Sequence, residues 1–202
     1  MFYKLPSLPA IPDYLKQQII DIAFTQRQQV VPTFGFKTLE YNNKIIKGSS
    51  YNRFLITDDI LDWCQKNIYS ELNKNFKIGV QIFEGGENYS PHIDGNRGTK
   101  ILNYLVDSGG DNVETVWFQE KDKPLIRTDS KVFQSFNNLN ECHRVKFTQD
   151  SWFIIQGNII HAVLNLTRPR ISLSIGFTES EFEQAQSVWY LGRDSNPQQH
   201  IV

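Results

Sequence analysis

The sequence predicts a mainly β domain that is preceded by helices. From Lys77 onward, short segments rich in β-branched or aromatic residues alternate with turn formers such as "EGGEN" and "DSGGDN". Eight such segments within about 100 residues indicate a sandwich, a jelly roll or a barrel. Before Lys77, apolar residues recur near the helical period instead. The predicted strands are KIGVQIF, TKILNYLV, VETVWFQE, KVFQSF, HRVKF, SWFIIQ, HAVLNL and RISLSIGF.

Two helices are predicted before the strands and one after them. Asp13 can cap a helix that runs to about Gln28. Thr57 or Asp58 can cap a second helix, with negative charge in its first turn. Residues 1–12 carry three prolines and are expected to run extended over the surface. After the last strand, "TESEFEQAQSVW" is expected to form a short helix, followed by a polar tail.

The composition excludes several classes of protein. A hydrophobic content of 40% is enough for a core, and a net charge of −1 gives no reason to expect nucleic acid or an anionic membrane as the partner. No apolar run is long enough to span a membrane, and "MFYKLPSLPAIPDY" lacks the layout of a secretory signal. Cys64 and Cys142 show no paired spacing. We therefore expect a cytosolic protein with reduced thiols, or a virus-encoded protein that works there.

The stretch "YSPHIDGN" contains a candidate metal site. In an extended chain, His92 and Asp94 point the same way, which suits a metal site, an acid–base pair or merely a polar loop. His161 is a candidate third ligand, because it begins a predicted strand after a Gly157–Asn158 turn. Two imidazoles and one carboxylate leave other metal positions open, as in non-haem Fe(II) oxygenases. Zinc also accepts these ligands, so the three residues alone do not decide the metal.

The last predicted strand carries a candidate anion site. One face of RISLSIGF is apolar, and the other presents Arg170, Ser172 and further small residues. This second face either lines a pocket or faces solvent, since both produce the same alternation. A guanidinium beside a hydroxyl can clamp a carboxylate. A dicarboxylate whose other end chelates the metal would fit such a clamp.

The order of these residues resembles a known superfamily. "HID", then His161, then "RIS" is similar to the pattern of the Fe(II)- and 2-oxoglutarate-dependent dioxygenases, over about residues 77–177. The resemblance implies a double-stranded β-helix (a cupin-like jelly roll) with N-terminal helices packed on the major sheet. We then expect one globular domain with a helical support region at 1–76, the catalytic core at 77–177 and a short helix and tail at 178–202.

The resemblance also implies roles for the candidate site residues. His92, Asp94 and His161 would bind Fe(II), and Arg170 would bind the distal carboxylate of 2-oxoglutarate with help from Ser172. O2 would be the second co-substrate, with ascorbate as the reductant and with succinate and CO2 as co-products.

A more specific similarity concerns the prolyl-4-hydroxylase-like branch. "YSPHID" followed by "LNYL" is similar to this branch, although many of its members carry lysine where this chain has Arg170. Tyr104 would then offer its hydroxyl to 2-oxoglutarate, and Tyr89 would line the pocket. Asn103 points to the opposite face of its strand from Tyr104, and the sequence does not decide which of the two faces the iron.

The resemblance implies hydroxylation of an amino-acid side chain, including prolyl, in a peptide or free. One alternative is the same chemistry on a small metabolite or a nucleobase, although RISLSIGF lacks the second arginine usual for nucleobase substrates. Others are a non-catalytic β-sandwich binding module and a zinc hydrolase, in which Arg170 has no obvious role. Arg97 and Trp117 are candidate substrate contacts, or else a solvated charge and a core aromatic. We expect no nucleic-acid or membrane partner.

Overall fold

The computed structural model describes residues 2–4, 8–26, 36–74, 77–84, 86–95 and 99–190. They form three helices, α1 (Asp13–Gln26), α2 (Asp58–Asn67) and α3 (Glu179–Tyr190). The strands are β1 (Phe2–Lys4), β2 (Thr38–Tyr41), β3 (Lys44–Lys47), β4 (Ser50–Phe54), β5 (Ile78–Glu84), β6 (His92–Ile93), β7 (Lys100–Asp107), β8 (Glu114–Glu120), β9 (Lys131–Val132), β10 (Leu139–Val145), β11 (Trp152–Gln156), β12 (Ile160–Leu164) and β13 (Arg170–Phe177).

Two antiparallel sheets face each other. The major sheet has the order β1-β11-β7-β13-β5-β4, and the minor sheet has the order β10-β8-β12-β6-β9. From β5 to β8, and again from β11 to β13, consecutive strands alternate between the two sheets. This winding is that of a double-stranded β-helix, so the predicted fold class is confirmed. A separate hairpin of β2 and β3 packs through Leu39 into the apolar cluster of the minor sheet.

The helices cover the outer face of the major sheet, as predicted. Leu15 and Ile19 of α1 share one buried cluster with Val80 and Ile82 of β5. Burying side chains of this size stabilises the fold by about 1.5–3 kcal/mol each. Thr57 caps α2, because its hydroxyl accepts a hydrogen bond from the Ile60 N–H at 3.4 Å. No helix in the described ranges combines the length and the apolar character needed to cross a membrane.

Strand β13 decides between the two interpretations of its polar face. All eight of its residues are buried, so neither face meets solvent. Ile171, Leu173 and Ile175 pack toward the helices, whereas Arg170 and Ser172 point between the sheets. The pocket interpretation is therefore confirmed, and the solvent-facing one is wrong.

The N-terminal region is less helical than predicted. Residues 1–76 also contain β1 to β4, and β4 joins the major sheet beside β5. Short strands such as SYNRF carry a polar residue at most positions, so their pattern does not stand out in the sequence. Helix α1 ends at Gln26, and the predicted extension to Gln28 lies outside the described residues, as does the polar tail.

Candidate metal centre

Three predicted ligands meet between the sheets. One donor atom from each of His92, Asp94 and His161 lies within 4.8 Å of the others. The Asp94 carboxylate lies 3.9 Å from His92 Nε2 and 3.4 Å from His161 Nε2. Two metal–ligand bonds of about 2 Å span at most about 4 Å, so the separations of 3.9 and 3.4 Å allow one ion to contact the Asp94 carboxylate together with either imidazole.

The strands place these ligands directly. His92 on β6 and His161 on β12 are register partners, with ring centroids 4.3 Å apart. The Asp94 N–H donates to the Gly157 carbonyl at 2.9 Å, which ties the carboxylate-bearing residue to the turn before β12. The predicted Gly157–Asn158 turn is present. The pairing of β6 with β12 and this backbone hydrogen bond therefore hold all three ligand residues on rigid backbone.

Backbone carbonyls fix the orientation of both imidazoles. His92 Nδ1 lies 3.0 Å from the Ser90 carbonyl oxygen, and His161 Nδ1 lies 2.9 Å from that of Ile159. A carbonyl oxygen only accepts, so these contacts assign the ring proton to Nδ1. The Nε2 lone pair of each ring is left to bind a metal, which is the usual arrangement of outer hydrogen bonds around metal-bound histidine.

A cavity of about 250 Å³ lies beside the three ligands. Both sheets contribute to its walls, and among the described lining residues only Asp94 and Arg170 carry a fixed charge. Its lining comprises Tyr51, Gln81, Phe83, Tyr89, His92, Ile93, Asp94, Ile101, Asn103, Thr115, Ser130, Val132, Phe153, Ile155, His161, Val163, Arg170 and Ser172.

Arg170 is a buried cation in this cavity. Arg170 is only 5% exposed, and this burial lowers the pKa of its guanidinium to about 10. No charged partner among the described residues contributes to the pKa. The side chain still carries its charge at neutral pH. A buried charge without a counter-charge is costly, so the arrangement calls for an anion in the cavity.

Two uncharged polar residues, Gln81 and Thr115, accompany Arg170 and were not predicted. The Ser172 hydroxyl donates to Gln81 Oε1 at 3.4 Å. Thr115 is 3% exposed, and its hydroxyl has no hydrogen-bond partner among the described residues. Both interrupt otherwise apolar strands, KIGVQIF and VETVWF, and this interruption is the signal in the sequence that could have revealed them.

Strand β7 turns Asn103 toward the cavity and Tyr104 away from it. Asn103 lines the cavity, whereas the Tyr104 ring lies in the helix-side core and its hydroxyl donates to Asp150 Oδ1 at 3.3 Å. The prediction that Tyr104 binds 2-oxoglutarate is therefore wrong. The alternation of side chains along the strand gives that face to Asn103, which the sequence had left open.

The three other residues predicted to contact the substrate or line its pocket have different outcomes. Tyr89 lines the cavity, with its ring edge-on to His92 at a centroid distance of 4.9 Å. Trp117 is fully buried in an apolar cluster with Phe147 and does not itself line the cavity, so its prediction as a substrate contact is wrong. Arg97 lies outside the described residues.

No family model matches the sequence, and no curated protein matches it. Among solved structures, the chain is similar to an oxidoreductase of the 2OG-Fe(II) oxygenase family from Burkholderia pseudomallei, with a TM-score of 0.46 and 13% identity over 86% of this chain and 83% of that chain. It is also similar to a Pseudomonas putida prolyl-4-hydroxylase, with a TM-score of 0.44 and 14% identity over 86% of this chain and 89% of that one. A third similar structure is the epimerase SnoN in complex with Fe3+, alpha ketoglutarate and nogalamycin RO. Its TM-score is 0.38, with 10% identity over 86% of this chain and 77% of that chain. These similarities are too distant to carry a function, which has to follow from the residues of the site.

Proposed function

We propose that this protein is an Fe(II)- and 2-oxoglutarate-dependent oxygenase. The observation that carries the proposal is the buried guanidinium of Arg170 in the same cavity as two imidazoles and one carboxylate. The three ligands can hold a metal, and the cation calls for a small anion beside it. 2-Oxoglutarate is a dianion with one carboxylate for each of these partners.

The donor set of His92, Asp94 and His161 fits ferrous iron. Two nitrogen donors and one oxygen donor suit Fe(II), and no thiolate that would favour a structural zinc site lies among them. The iron, when bound, supplies the activation of O2 and thus the oxidising chemistry. His92, Asp94 and His161, which line the cavity, would hold it there.

The other polar residues of the cavity position 2-oxoglutarate. Arg170 pairs with the carboxylate far from the metal, and the Ser172 hydroxyl lies two residues along the same face of β13. Gln81 holds that hydroxyl in place. Charge-assisted hydrogen bonds of this kind are worth about 1.5–3 kcal/mol each, enough to select a dicarboxylate over a monocarboxylate.

The apolar walls keep water from the reacting groups. Phe83 and Tyr89 pack against each other with ring centroids 4.7 Å apart, and Tyr89 in turn contacts the ring of His92. This contact holds the imidazole in its orientation. Cavity walls that are rigid and exclude water strengthen the electrostatic interactions between the protein and its co-substrate.

As substrate, we propose an amino-acid side chain, prolyl or another, in a peptide or free. The small cavity supports entry of one side chain at a time. Oxidation would then yield succinate and CO2 as co-products, with ascorbate as the reductant. A zinc hydrolase or a non-catalytic binding module would have no use for a buried cation such as Arg170, which has no charged partner among the described residues.

Succinate formation tests this function. Purified protein with Fe(II), ascorbate, O2 and 2-oxoglutarate should release succinate slowly even without a substrate. The variants Asp94→Ala and His161→Ala should abolish this release, and the control His143→Ala should retain it, because His143 packs on Trp117 outside the cavity lining. Mass spectrometry of candidate peptides and cell extract should then show a gain of one oxygen. Release of succinate that is unaffected by Asp94→Ala and His161→Ala would contradict the proposal.

A further inference from the structure

The charges that face the cavity cancel once the metal and 2-oxoglutarate are bound, so this inference rests on the proposed function. Among the described lining residues, Asp94 brings one negative charge and Arg170 one positive charge. A divalent metal adds two positive charges, and 2-oxoglutarate adds two negative ones. We propose that the group oxidised in this site is small and uncharged.

Among the described residues that line it, the loaded cavity offers a charged group no partner. Each charge named above is matched within the site, so an entering ammonium or carboxylate would lose its hydration and gain no counter-charge. A neutral polar group meets a different situation. The buried hydroxyl of Thr115, which lacks a hydrogen-bond partner among the described residues, can accept or donate one hydrogen bond.

The charged side chains next to Ser130, at the rim of the cavity, are also paired with opposite charges. Ser130, which lines the cavity and is exposed, lies in the chain between Asp129 and Lys131. Arg127 pairs with Asp129 at 2.8 Å and with Glu120 at 2.7 Å. Glu120 also lies 3.5 Å from Lys131. These four side chains form one network without net charge, so this described part of the rim favours an ion of neither sign.

An aromatic wall leads from Tyr51 on the edge strand β4 to the candidate metal ligand His92. The ring of Tyr51 lies 5.1 Å from that of Phe83, and Phe83 contacts Tyr89, which packs on His92. All four rings line the cavity. Such a wall offers apolar surface to a hydrocarbon group, since burying apolar surface is favourable there.

The size of the cavity sets the size of the group. Its volume of about 250 Å³ lies below the roughly 300–1,000 Å³ typical of sites that enclose drug-sized ligands. With 2-oxoglutarate bound, the remaining space fits a part of a molecule comparable to one side chain. Because the charges of the described lining residues are already matched, the proposal excludes lysyl, arginyl, aspartyl and glutamyl groups as the groups oxidised and favours an apolar or neutral polar side chain of this size.

Three probes of similar shape and different charge test this inference. Butyramide, butyrate and butylammonium are titrated against the full chain loaded with Mn(II), which occupies the site without turnover. The paramagnetic relaxation of the probe protons reports binding close to the metal. Without 2-oxoglutarate, butyrate should bind most tightly, because Arg170 has no charged partner among the described residues. With saturating 2-oxoglutarate the order should invert, and butyramide should bind at least tenfold more tightly than either ion.

The outcomes separate this inference from the proposed function. Calorimetry first shows whether Mn(II) and 2-oxoglutarate bind, and failure of 2-oxoglutarate to bind contradicts the proposed function itself. If both bind and either ion then equals butyramide, or butyramide does not bind, the inference is overturned. Butyrate binding that persists with 2-oxoglutarate and is lost in Arg97→Gln would also overturn it. The control Arg170→Met should show no inversion.

Discussion

His92 and His161 stand directly opposite each other on neighbouring strands, with their ring centroids 4.3 Å apart. Because the two strands fix both rings, each imidazole should contribute separately to metal affinity. We predict that His92→Ala and His161→Ala each weaken Fe(II) or Mn(II) binding by about 100-fold or more, as expected when a direct metal ligand is lost. Anaerobic calorimetry measures this. Wild-type affinity in either variant would remove that residue from the metal site.

Arg170 should be needed for the co-substrate and not for the metal. We predict that Arg170→Met raises the Kd of 2-oxoglutarate by about 100-fold, which corresponds to the loss of a charge-assisted, bidentate contact, while Mn(II) affinity stays within about threefold. The separation of the two affinities is the critical result. Release of the metal by Arg170→Met would show that the side chain supports the ligands instead of the anion.

The same substitution should stabilise the empty protein. Burial lowers the pKa of Arg170 to about 10, so the folded state holds this proton less tightly than the unfolded state does. The charge therefore costs stability at neutral pH, and this cost falls as the pH rises through 10. We predict that Arg170→Met raises the free energy of unfolding at pH 7 by about 1–3 kcal/mol without ligands, and by less above pH 10. A lower Tm at pH 7 would contradict this.

The two adjacent residues on β7 should behave oppositely. Tyr104→Phe removes a hydrogen bond to Asp150 on the helix side and should cost about 0.5–1.5 kcal/mol of stability without changing the KM for 2-oxoglutarate. Asn103→Leu changes the cavity wall and should raise that KM by about 3–10-fold, the equivalent of one neutral hydrogen bond. Kinetics and denaturant titration of both variants check this. An effect of Tyr104→Phe on KM would restore Tyr104 to the site.

Gly95 should be required for the position of Asp94. Its φ of 56° lies in the left-handed region, and a Cβ there would come within 2.4 Å of the Ser130 Cβ. We predict that Gly95→Ala weakens metal binding by about 10-fold although no ligand is removed, because the chain must shift beside Asp94.

Gly110→Ala is the matched control for Gly95→Ala. Gly110 has a φ of 140°, and a Cβ there would meet Thr167 Oγ1 at 2.3 Å. The Gly110→Ala protein should therefore lose stability, as the Gly95→Ala protein does. It should keep its metal affinity, because Thr167 is not one of the candidate metal ligands. Equal metal affinity in both variants would show that Gly95 does not position the site.

The sequence predicted two of the three candidate metal ligands from a local pattern. His92 and Asp94 share a direction in any extended chain, and His161 was proposed from its place at the start of a predicted strand, which in the structure begins one residue earlier at Ile160. The polar face of β13 was ambiguous, since a solvent-facing strand shows the same alternation. Only the burial of Arg170 between two sheets resolved it.

The errors came from contacts that no short pattern contains. Tyr104 and Asn103 differ by which face of β7 meets the helices, and that depends on long-range pairing with β11 and β13. Trp117 is an ordinary core aromatic. Strand β4 was missed because its pattern is short and polar. The substrate, the reductant and the cytosolic location stay predictions.

Anaerobic absorption spectroscopy tests the central claim most directly. When 2-oxoglutarate chelates Fe(II) through its keto acid end, a charge-transfer band arises in the visible region that neither component gives alone. The wild-type protein with both should show this band, His161→Ala should not, and Arg170→Met should require about 100-fold more 2-oxoglutarate to reach it. Binding of Fe(II) and 2-oxoglutarate without any such band would contradict the claim that His92, Asp94, His161 and Arg170 form one site.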